Sequence, residues 1–103
     1  MHLLQILLPC ADNNGQAFPD EDFEKVKQEL ADRYQGVTAY MRAPAEGVWK
    51  NGSASNGERD NVVIFEVMVD RLDLDDWRAR RHDLERAFRQ ETVVIRYMPI
   101  ELI

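Results

Sequence analysis

The order of its apolar segments constrains the fold of this chain more than any other feature. Four short apolar segments with strand character alternate with two amphipathic helical segments, in the order strand, helix, strand, strand, helix, strand. These segments fill nearly all of the 103 residues, a length typical of one domain. We therefore predict a single α+β domain over residues 1–103, of the βαββαβ type, with a four-stranded antiparallel sheet and two helices on one face.

The strands are predicted from apolar runs that turn or proline residues interrupt. The four predicted strands are Leu3–Leu8, Val37–Arg42, Val62–Val69 and Thr92–Met98. Residues 43–61 contain three glycines and two Asn-Gly steps, which favour turns, so we predict a long and mobile hairpin connection there. In an alternative that stays open, Val48-Trp49-Lys50 extends the second strand into this connection.

The helices are predicted from apolar residues at helical spacing and from their end signals. Proline and carboxylates at Pro19–Asp22 favour the start of the first helix, and Gly36 is placed to cap its C-terminus. Asp73 is a suitable N-cap for the second helix. Trp77 lies on the apolar stripe of that helix, so we predict that it belongs to the core.

The charge of the chain excludes some classes of partner. Thirteen basic and 19 acidic residues give a formal net charge of −6, which repels phosphate backbones and anionic lipid, so we expect no nucleic acid or membrane partner. The only cysteine, Cys10, excludes an internal disulfide and suits a reducing compartment. The chain shows no signal peptide, so we expect a cytoplasmic protein. We predict no metal site and no cofactor.

Strand periodicity divides the sheet residues into two sets. One set is apolar and should face the helices: Leu4, Ile6, Leu8, Val37, Ala39, Met41, Val63, Phe65, Val67, Val69, Val93 and Ile95. The other set mixes large apolar residues with a few polar ones: Leu3, Gln5, Leu7, Thr38, Tyr40, Arg42, Val62, Ile64, Glu66, Met68, Val94, Arg96 and Met98. An apolar patch of this size favours a partner, so we predict a homodimer through the open sheet face.

Polar residues of the second set form the candidate site. With the strand order 4-1-3-2, Glu66 lies in the middle of the sheet, with Gln5 on one neighbouring strand and Tyr40 and Arg42 on the other. A carboxylate among apolar groups must be paired or neutral, and Arg42 or Arg96 is placed to hold it ionised through a bidentate contact.

Two interpretations of these residues remain open. In the first, they line a ligand pocket. Glu66 and Tyr40 are then the candidate catalytic groups and also bind the ligand, together with Gln5, Arg42 and Arg96. Trp49 in the long loop either covers the pocket as a lid or packs onto a sheet edge. In the second, Glu66 belongs to a structural ion pair that sets the register of the dimer, or to a solvated face.

The element order and the composition of the two faces resemble the ferredoxin-like fold, and more narrowly the dimeric α+β barrel superfamily. The stretch Gly36-Val37-Thr38-Ala39-Tyr40, together with Pro44–Trp49, is similar to small uncharacterised bacterial proteins of that shape. The resemblance implies two subunits whose open faces pack together around a pocket. Haem members of the superfamily use a pocket histidine. Because neither His2 nor His82 lies in the middle of the mixed face, we do not expect haem.

The residues and the resemblance leave three function classes open. The first is a small-molecule-binding or accessory protein with its ligand pocket between the sheets of the dimer. The second is a cofactor-free enzyme, of the oxygenase or isomerase type, acting on a small organic acid or aromatic compound. The third is a protein interaction module, which predicts a dry interface without a pocket.

Overall fold

The elements of the fold follow the predicted order. A computed structural model describes residues 1–34, 36–48 and 59–103, and the side chains of residues 1–34, 36–38 and 62–103. Its elements are β1 (His2–Pro9), α1 (Asp20–Arg33), β2 (Gly36–Val48), β3 (Arg59–Val69), α2 (Leu74–Ala87) and β4 (Val94–Pro99). This order, with one antiparallel sheet, confirms the predicted ferredoxin-like α+β fold. No helix in the described ranges is long and apolar enough to cross a membrane.

The sheet has the strand order β2-β3-β1-β4, as expected. β1 and β3 are therefore central, and β2 and β4 form the two edges of the described sheet. Adjacent strands are antiparallel, with Gln5 opposite Glu66 in β3 and also opposite Arg96 in β4. These two pairings fix which side chains share a face across three strands.

The predicted hairpin connection is too long at both ends. β2 continues to Val48 and β3 already begins at Arg59, so parts of residues 43–61 belong to strands. Pro44 and Gly47 disfavour strand structure locally, but β2 is an edge strand, and the register shifts between Tyr40 and Ala45. Edge strands and irregular positions tolerate proline. Residues 49–58, including Trp49, lie outside the described residues. The mobility of this loop and the role of Trp49 as a lid therefore stay predictions.

The hydrophobic core lies between the sheet and both helices. Every second residue from Leu4 to Leu8 in β1 and from Val63 to Val69 in β3 is buried, and the same cluster includes residues of α1 and α2. The buried members from these elements are Leu4, Ile6, Leu8, Val63, Phe65, Val67, Val69, Phe23, Val26, Leu30, Trp77 and Leu84. Both helices therefore cover one face, and Trp77 is a core residue as predicted. Burial of this apolar surface is the main favourable term in folding.

Of the two predicted helix caps, the N-cap of α2 is confirmed and the C-cap of α1 is wrong. The side chain of Asp73 caps α2 by accepting a hydrogen bond from the backbone N–H of Asp76 at 3.2 Å. Gly36 does not cap α1, which ends at Arg33 with Tyr34 in an extended conformation. Gly36 is instead the first residue of β2, where an added Cβ would lie 2.9 Å from Cε of Met68. A side chain at this position would therefore require the flexible end of Met68 to move.

A polar and aromatic contact joins the C-terminal end of α1 to α2. The ring of Tyr34 stacks on Trp77 with centroids 5.1 Å apart, and the guanidinium of Arg80 lies within 6 Å of both ring centres. The hydroxyl of Tyr34 donates to Asp76 at 3.2 Å, and Arg33 donates to the same carboxylate at 2.9 Å. Burial raises the pKa of the Tyr34 hydroxyl, which keeps it a donor.

Candidate functional site

The sheet face opposite the helices carries the candidate site, and we call it the open face. Its described side chains are Leu3, Gln5, Leu7, Thr38, Val62, Ile64, Glu66, Met68, Val94, Arg96 and Met98. Three of the apolar members remain substantially exposed: Met68 at 38%, Val94 at 45% and Met98 at 43%. The face is therefore apolar in composition and accessible in a single copy.

Four polar residues cross the open face in one line, which we call the polar row. The strand register places Thr38 of β2 opposite Glu66 of β3, Glu66 opposite Gln5 of β1, and Gln5 opposite Arg96 of β4. With neighbouring strands about 4.8 Å apart, the row spans about 14 Å. One residue from each of the four strands thus meets in a single cross-strand row.

The polar row is connected by short hydrogen bonds. The amide Nε2 of Gln5 donates to Oε2 of Glu66 at 2.8 Å, and Nε of Arg96 donates to Oε1 of Gln5 at 2.7 Å. Both bonds involve a charged group, so each is stronger than a neutral one. Because Gln5 binds a carboxylate on one side and a guanidinium on the other, its amide has one favourable orientation.

The row also separates a negative pole from a positive one. Glu66 carries the carboxylate on a central strand, and Arg96 carries the guanidinium on the edge strand β4. Arg96 is exposed and uses Nε for Gln5. Within the described part of the chain no carboxylate lies within salt-bridge distance of Arg96, so its terminal nitrogens still have donors for an oxyanion.

Apolar rows border the polar row on both sides. On one side the register aligns Met68, Leu3 and Met98, and on the other it aligns Ile64, Leu7 and Val94. Side chains two residues apart on a strand share a face about 6.7 Å apart, so each apolar row lies directly beside the polar one. A ligand that contacts Arg96 or Glu66 would meet apolar walls above and below.

The structure brings together some of the predicted site residues and leaves others undescribed. Gln5, Glu66 and Arg96 share the polar row, although Arg96 reaches Gln5, which stands between it and Glu66. The predicted bidentate contact of Arg96 with Glu66 is therefore replaced by a bridge. Tyr40 is in register with Ile64, and Arg42 falls where the register shifts. The side chains of both, and Trp49, lie outside the described ones.

Thr38 is a member of the row that the sequence did not single out as a site residue. Its periodicity placed it on the open face, but only the pairing with Glu66 shows that it shares the polar row. Register depends on the β2–β3 connection, which sequence pattern does not determine. Thr38 is exposed, and its hydroxyl is both a donor and an acceptor.

The other candidate features of the described residues do not form a reactive or metal-binding site. Cys10 is half-buried, and burial raises the pKa of its thiol, which makes it a poor nucleophile. Among the described residues no cluster of three His, Cys, Asp or Glu side chains could hold a metal ion. Three surface depressions lie at the loop before α2, between α2 and β4, and at the end of α2, and none of these three includes the polar row.

Comparison with known proteins supports the fold and leaves the chemistry open. No protein-family model matches the chain, and no curated protein matches it. Among solved structures, the chain is similar to a phage SAM lyase in its apo state, with a TM-score of 0.60 and 17% sequence identity. The similarity covers 94% of this chain and 78% of the lyase chain. At this identity the similarity shows a shared fold and does not assign an activity.

Proposed function

We propose that this protein binds a small organic acid on the open face of its sheet, and that the open face of a second copy closes the site. The hydrogen-bonded row from Glu66 through Gln5 to Arg96, set between two apolar rows, carries this proposal. Arg96 binds the carboxylate of the ligand, and the apolar rows contact its carbon skeleton. Glu66, held by Gln5, selects for a donor or a cationic group at the other end.

The exposed apolar rows are the reason to propose that a second copy packs on the open face. Met68, Val94 and Met98 are each more than a third exposed in one copy, and removing their surface from water favours association. Around a two-fold axis parallel to the strands, each apolar row meets the same row of the other copy. The polar rows then meet in opposite order, so Glu66 faces the partner's Gln5 and the two arginines stay apart. The open face is self-complementary in this arrangement.

A thermal-shift comparison of acids and their neutral analogues tests the binding site. Benzoate, succinate and SAM each carry a carboxylate, and SAM is included because a phage protein of similar fold is named for acting on it. Benzamide has the shape of benzoate without the charge. We expect at least one acid to raise the melting temperature and benzamide to have no effect, since a ligand at about 100 times its Kd stabilises by about 2.7 kcal/mol.

Paired arginine variants show where the acid binds. Arg96→Gln removes the guanidinium of the polar row, whereas Arg71→Gln makes the same change in net charge in the exposed segment after β3. The proposal expects the acid-dependent shift to disappear in Arg96→Gln and to persist in Arg71→Gln. A shift that survives in Arg96→Gln, or that benzamide reproduces, contradicts the proposal.

Glu66→Gln separates a binding role from a structural ion pair. The substituted amide still offers an oxygen to Nε2 of Gln5, and the site is only half-buried. The proposal therefore expects a nearly unchanged melting curve in the absence of ligand. Loss of an essential buried ion pair would instead cost about 3 kcal/mol or more, and a loss of that size would favour the structural interpretation.

A cofactor-free enzyme is the second candidate, and the similarity in fold to a lyase is the observation that favours it. In this version Glu66 acts as an acid or base toward the bound acid, since a carboxylate within reach of a ligand proton can serve in general acid–base catalysis. Incubation with SAM, followed by chromatography of the remaining SAM, tests this version directly. Loss of SAM that Glu66→Gln abolishes would establish catalysis, and unchanged SAM would restrict the proposal to binding.

A further inference from the structure

The free edge of β4 has a defined pattern of backbone donors and acceptors. The N–H of Ile100 donates to the carbonyl of Met1 at 3.0 Å, and this pair continues the β1–β4 register. Directly opposed residues alternate along an antiparallel pair between exchanging hydrogen bonds and facing outward. Val94, Arg96 and Met98 therefore bond to β1, whereas the backbone of the alternate residues points away from the sheet.

The outward groups form a short edge with a limited number of donors. Ile95 and Tyr97 each offer an N–H and a carbonyl, and Pro99 offers a carbonyl only. The N–H of Val93, next along the edge, donates to Oε2 of Glu85 at 2.9 Å and is already used. Within the described sheet no strand lies beyond β4, so two donors and three acceptors face outward there.

We propose that the edge of β4 pairs in antiparallel register with β4 of a second copy, with Tyr97 on the two-fold axis. In this register the N–H of Tyr97 donates to the carbonyl of the partner's Tyr97, and the N–H of Ile95 donates to the carbonyl of the partner's Pro99. Each bond occurs twice by symmetry, so all the outward donors of both strands are used. Because proline has no N–H, the carbonyl of the partner's Ile95 is left to water at the end of the pairing, where a proline is tolerated.

Two neighbouring registers fit less well. A register centred on Arg96 sets two guanidinium groups directly opposite each other, and like charges in such a pair are destabilising. A register centred on Ile95 pairs Tyr97 with the partner's Val93, whose N–H is held by Glu85. The donors of the edge and the position of Arg96 thus select the register centred on Tyr97.

The side chains beside this edge are suited to contact with the same strand. Tyr97 is 49% exposed, and Val94 and Met98 are also exposed, on the opposite face of the strand. In the proposed register Arg96 lies beside the partner's Met98, and Ile95 beside the partner's Pro99. The contact is small, so we expect a weak dimer, typical of interfaces below about 1,200 Å².

This contact is independent of the proposed closure of the open face. Pairing two β4 strands extends the sheet sideways to eight strands and leaves both open faces uncovered. Packing of the open faces buries Met68, which lies two strands away from the edge of β4. The two contacts can therefore be abolished separately.

Residue-resolved hydrogen exchange at two protein concentrations tests the edge contact in the unaltered protein. We expect the amides of Ile95 and Tyr97 to exchange fast at micromolar protein and to gain protection at millimolar protein. The amides of Val94, Arg96 and Met98, which bond to β1, are the internal reference and should be protected at both concentrations. If Ile95 and Tyr97 exchange at the same fast rate at both concentrations, the proposal is wrong.

Sedimentation of variants separates the two contacts. Met68→Asp removes open-face packing, and in that background Tyr97→Pro deletes an outward donor without removing a bond to β1. Tyr97→Phe keeps the donor and is the matched control. We expect Met68→Asp and Met68→Asp with Tyr97→Phe to dimerise at millimolar protein, and Met68→Asp with Tyr97→Pro to be monomeric. A monomer in all three variants, or a dimer in all three, overturns the proposal.

Discussion

Arg89, two residues after the end of α2, occupies a backbone conformation that usually belongs to glycine. Its φ is +52°, in the left-handed region, where a side chain has a steric cost. The guanidinium of Arg89 lies 5.2 Å from the ring centre of Phe18 and 3.8 Å from a carboxylate oxygen of Asp12. These contacts join the end of α2 to the loop before α1, and they offset the strain in the backbone.

Two substitutions at Arg89 separate the cost of the strained backbone from the contribution of the side-chain contacts. Arg89→Ala keeps the strained backbone and loses the side-chain contacts, so we expect a loss of about 1 kcal/mol in the free energy of unfolding. Arg89→Gly loses the same contacts but relieves about 1 kcal/mol of strain, and it should be close to the unaltered protein. Urea denaturation measures both. If glycine is as destabilising as alanine, the strain at this residue is negligible.

Glu85 links α2 to the residue that precedes β4. Its carboxylate accepts the backbone N–H of Val93 at 2.9 Å and lies near His82 and Arg81. The hydrogen bond from Val93 is the main cause that lowers the pKa of Glu85, with smaller contributions from the two neighbouring side chains. Since the folded chain binds this proton less readily than the unfolded chain, Glu85 stabilises the fold only while it is ionised.

The lowered pKa of Glu85 predicts a specific loss of stability in acid. The contribution of Glu85 is complete above its ordinary pKa, about 4.3, and is lost as the pH falls through the lower value of the folded state. We expect the melting temperature to fall over this range, and Glu85→Gln to show a shallower fall because it cannot ionise. Melting curves from neutral to acidic pH test this, and equal slopes in both proteins would contradict it.

At the scale of secondary-structure elements, the contact between the end of α1 and α2 joins two helices that no sequence pattern pairs. Tyr34 and Trp77 stack with their ring planes 19° apart, and Asp76 accepts from both Tyr34 and Arg33. The aromatic stack and the hydrogen bond reinforce each other because Tyr34 makes both, with its ring on Trp77 and its hydroxyl on the neighbouring Asp76. This contact holds the end of α1 against the start of α2.

Substitution of Tyr34 measures the two parts of this contact. Tyr34→Phe keeps the stack and loses the hydroxyl, so we expect a cost of about 1 kcal/mol. Tyr34→Ala loses the stack as well, and we expect about 2 kcal/mol in total. Denaturant titrations of both variants provide the values. Equal losses in the two variants would mean that the rings contribute nothing beyond the hydrogen bond.

Most of the fold was predictable from sequence because each element has a strong local pattern. The alternation in β1 and β3 correctly predicted the buried face, as Leu4, Phe65 and Val67 show. The end of β2 was not predictable, because Pro44 and Gly47 disfavour strands locally and only pairing with β3 outweighs them. Gly36 was misassigned for a related reason, since its close neighbour Met68 lies far along the chain.

The candidate site was predictable only in part. Periodicity placed Gln5, Glu66 and Arg96 on one face, and the assumed strand order placed them on neighbouring strands. The bridging role of Gln5 was not predictable, because it depends on a register that sets Gln5 opposite both charged residues. The inclusion of Thr38 in the polar row depends on the same kind of information.

At the scale of the whole molecule, we propose that copies associate through the open face. Met68→Asp puts a charge into one apolar row, and an unpaired charge in an interface is strongly unfavourable. We expect this variant to fold normally and to lose open-face association in sedimentation experiments. Gln16→Asp adds the same charge in the exposed loop before α1 and should associate like the unaltered protein. Equal association of all three proteins would show that the open face is not an interface.

The amide of Gln5 gives the polar row a direction. Its NH₂ group points to the acidic side and its carbonyl to the basic side, and an amide can exchange these two ends by a half-turn about its terminal torsion. A chain in which the charges trade places, Glu66→Arg together with Arg96→Glu, can therefore form the same connections with Gln5 inverted. Either change alone leaves the amide between two like charges. The amide of Gln5 is therefore compatible with either order of the two opposite charges, but not with two charges of the same sign.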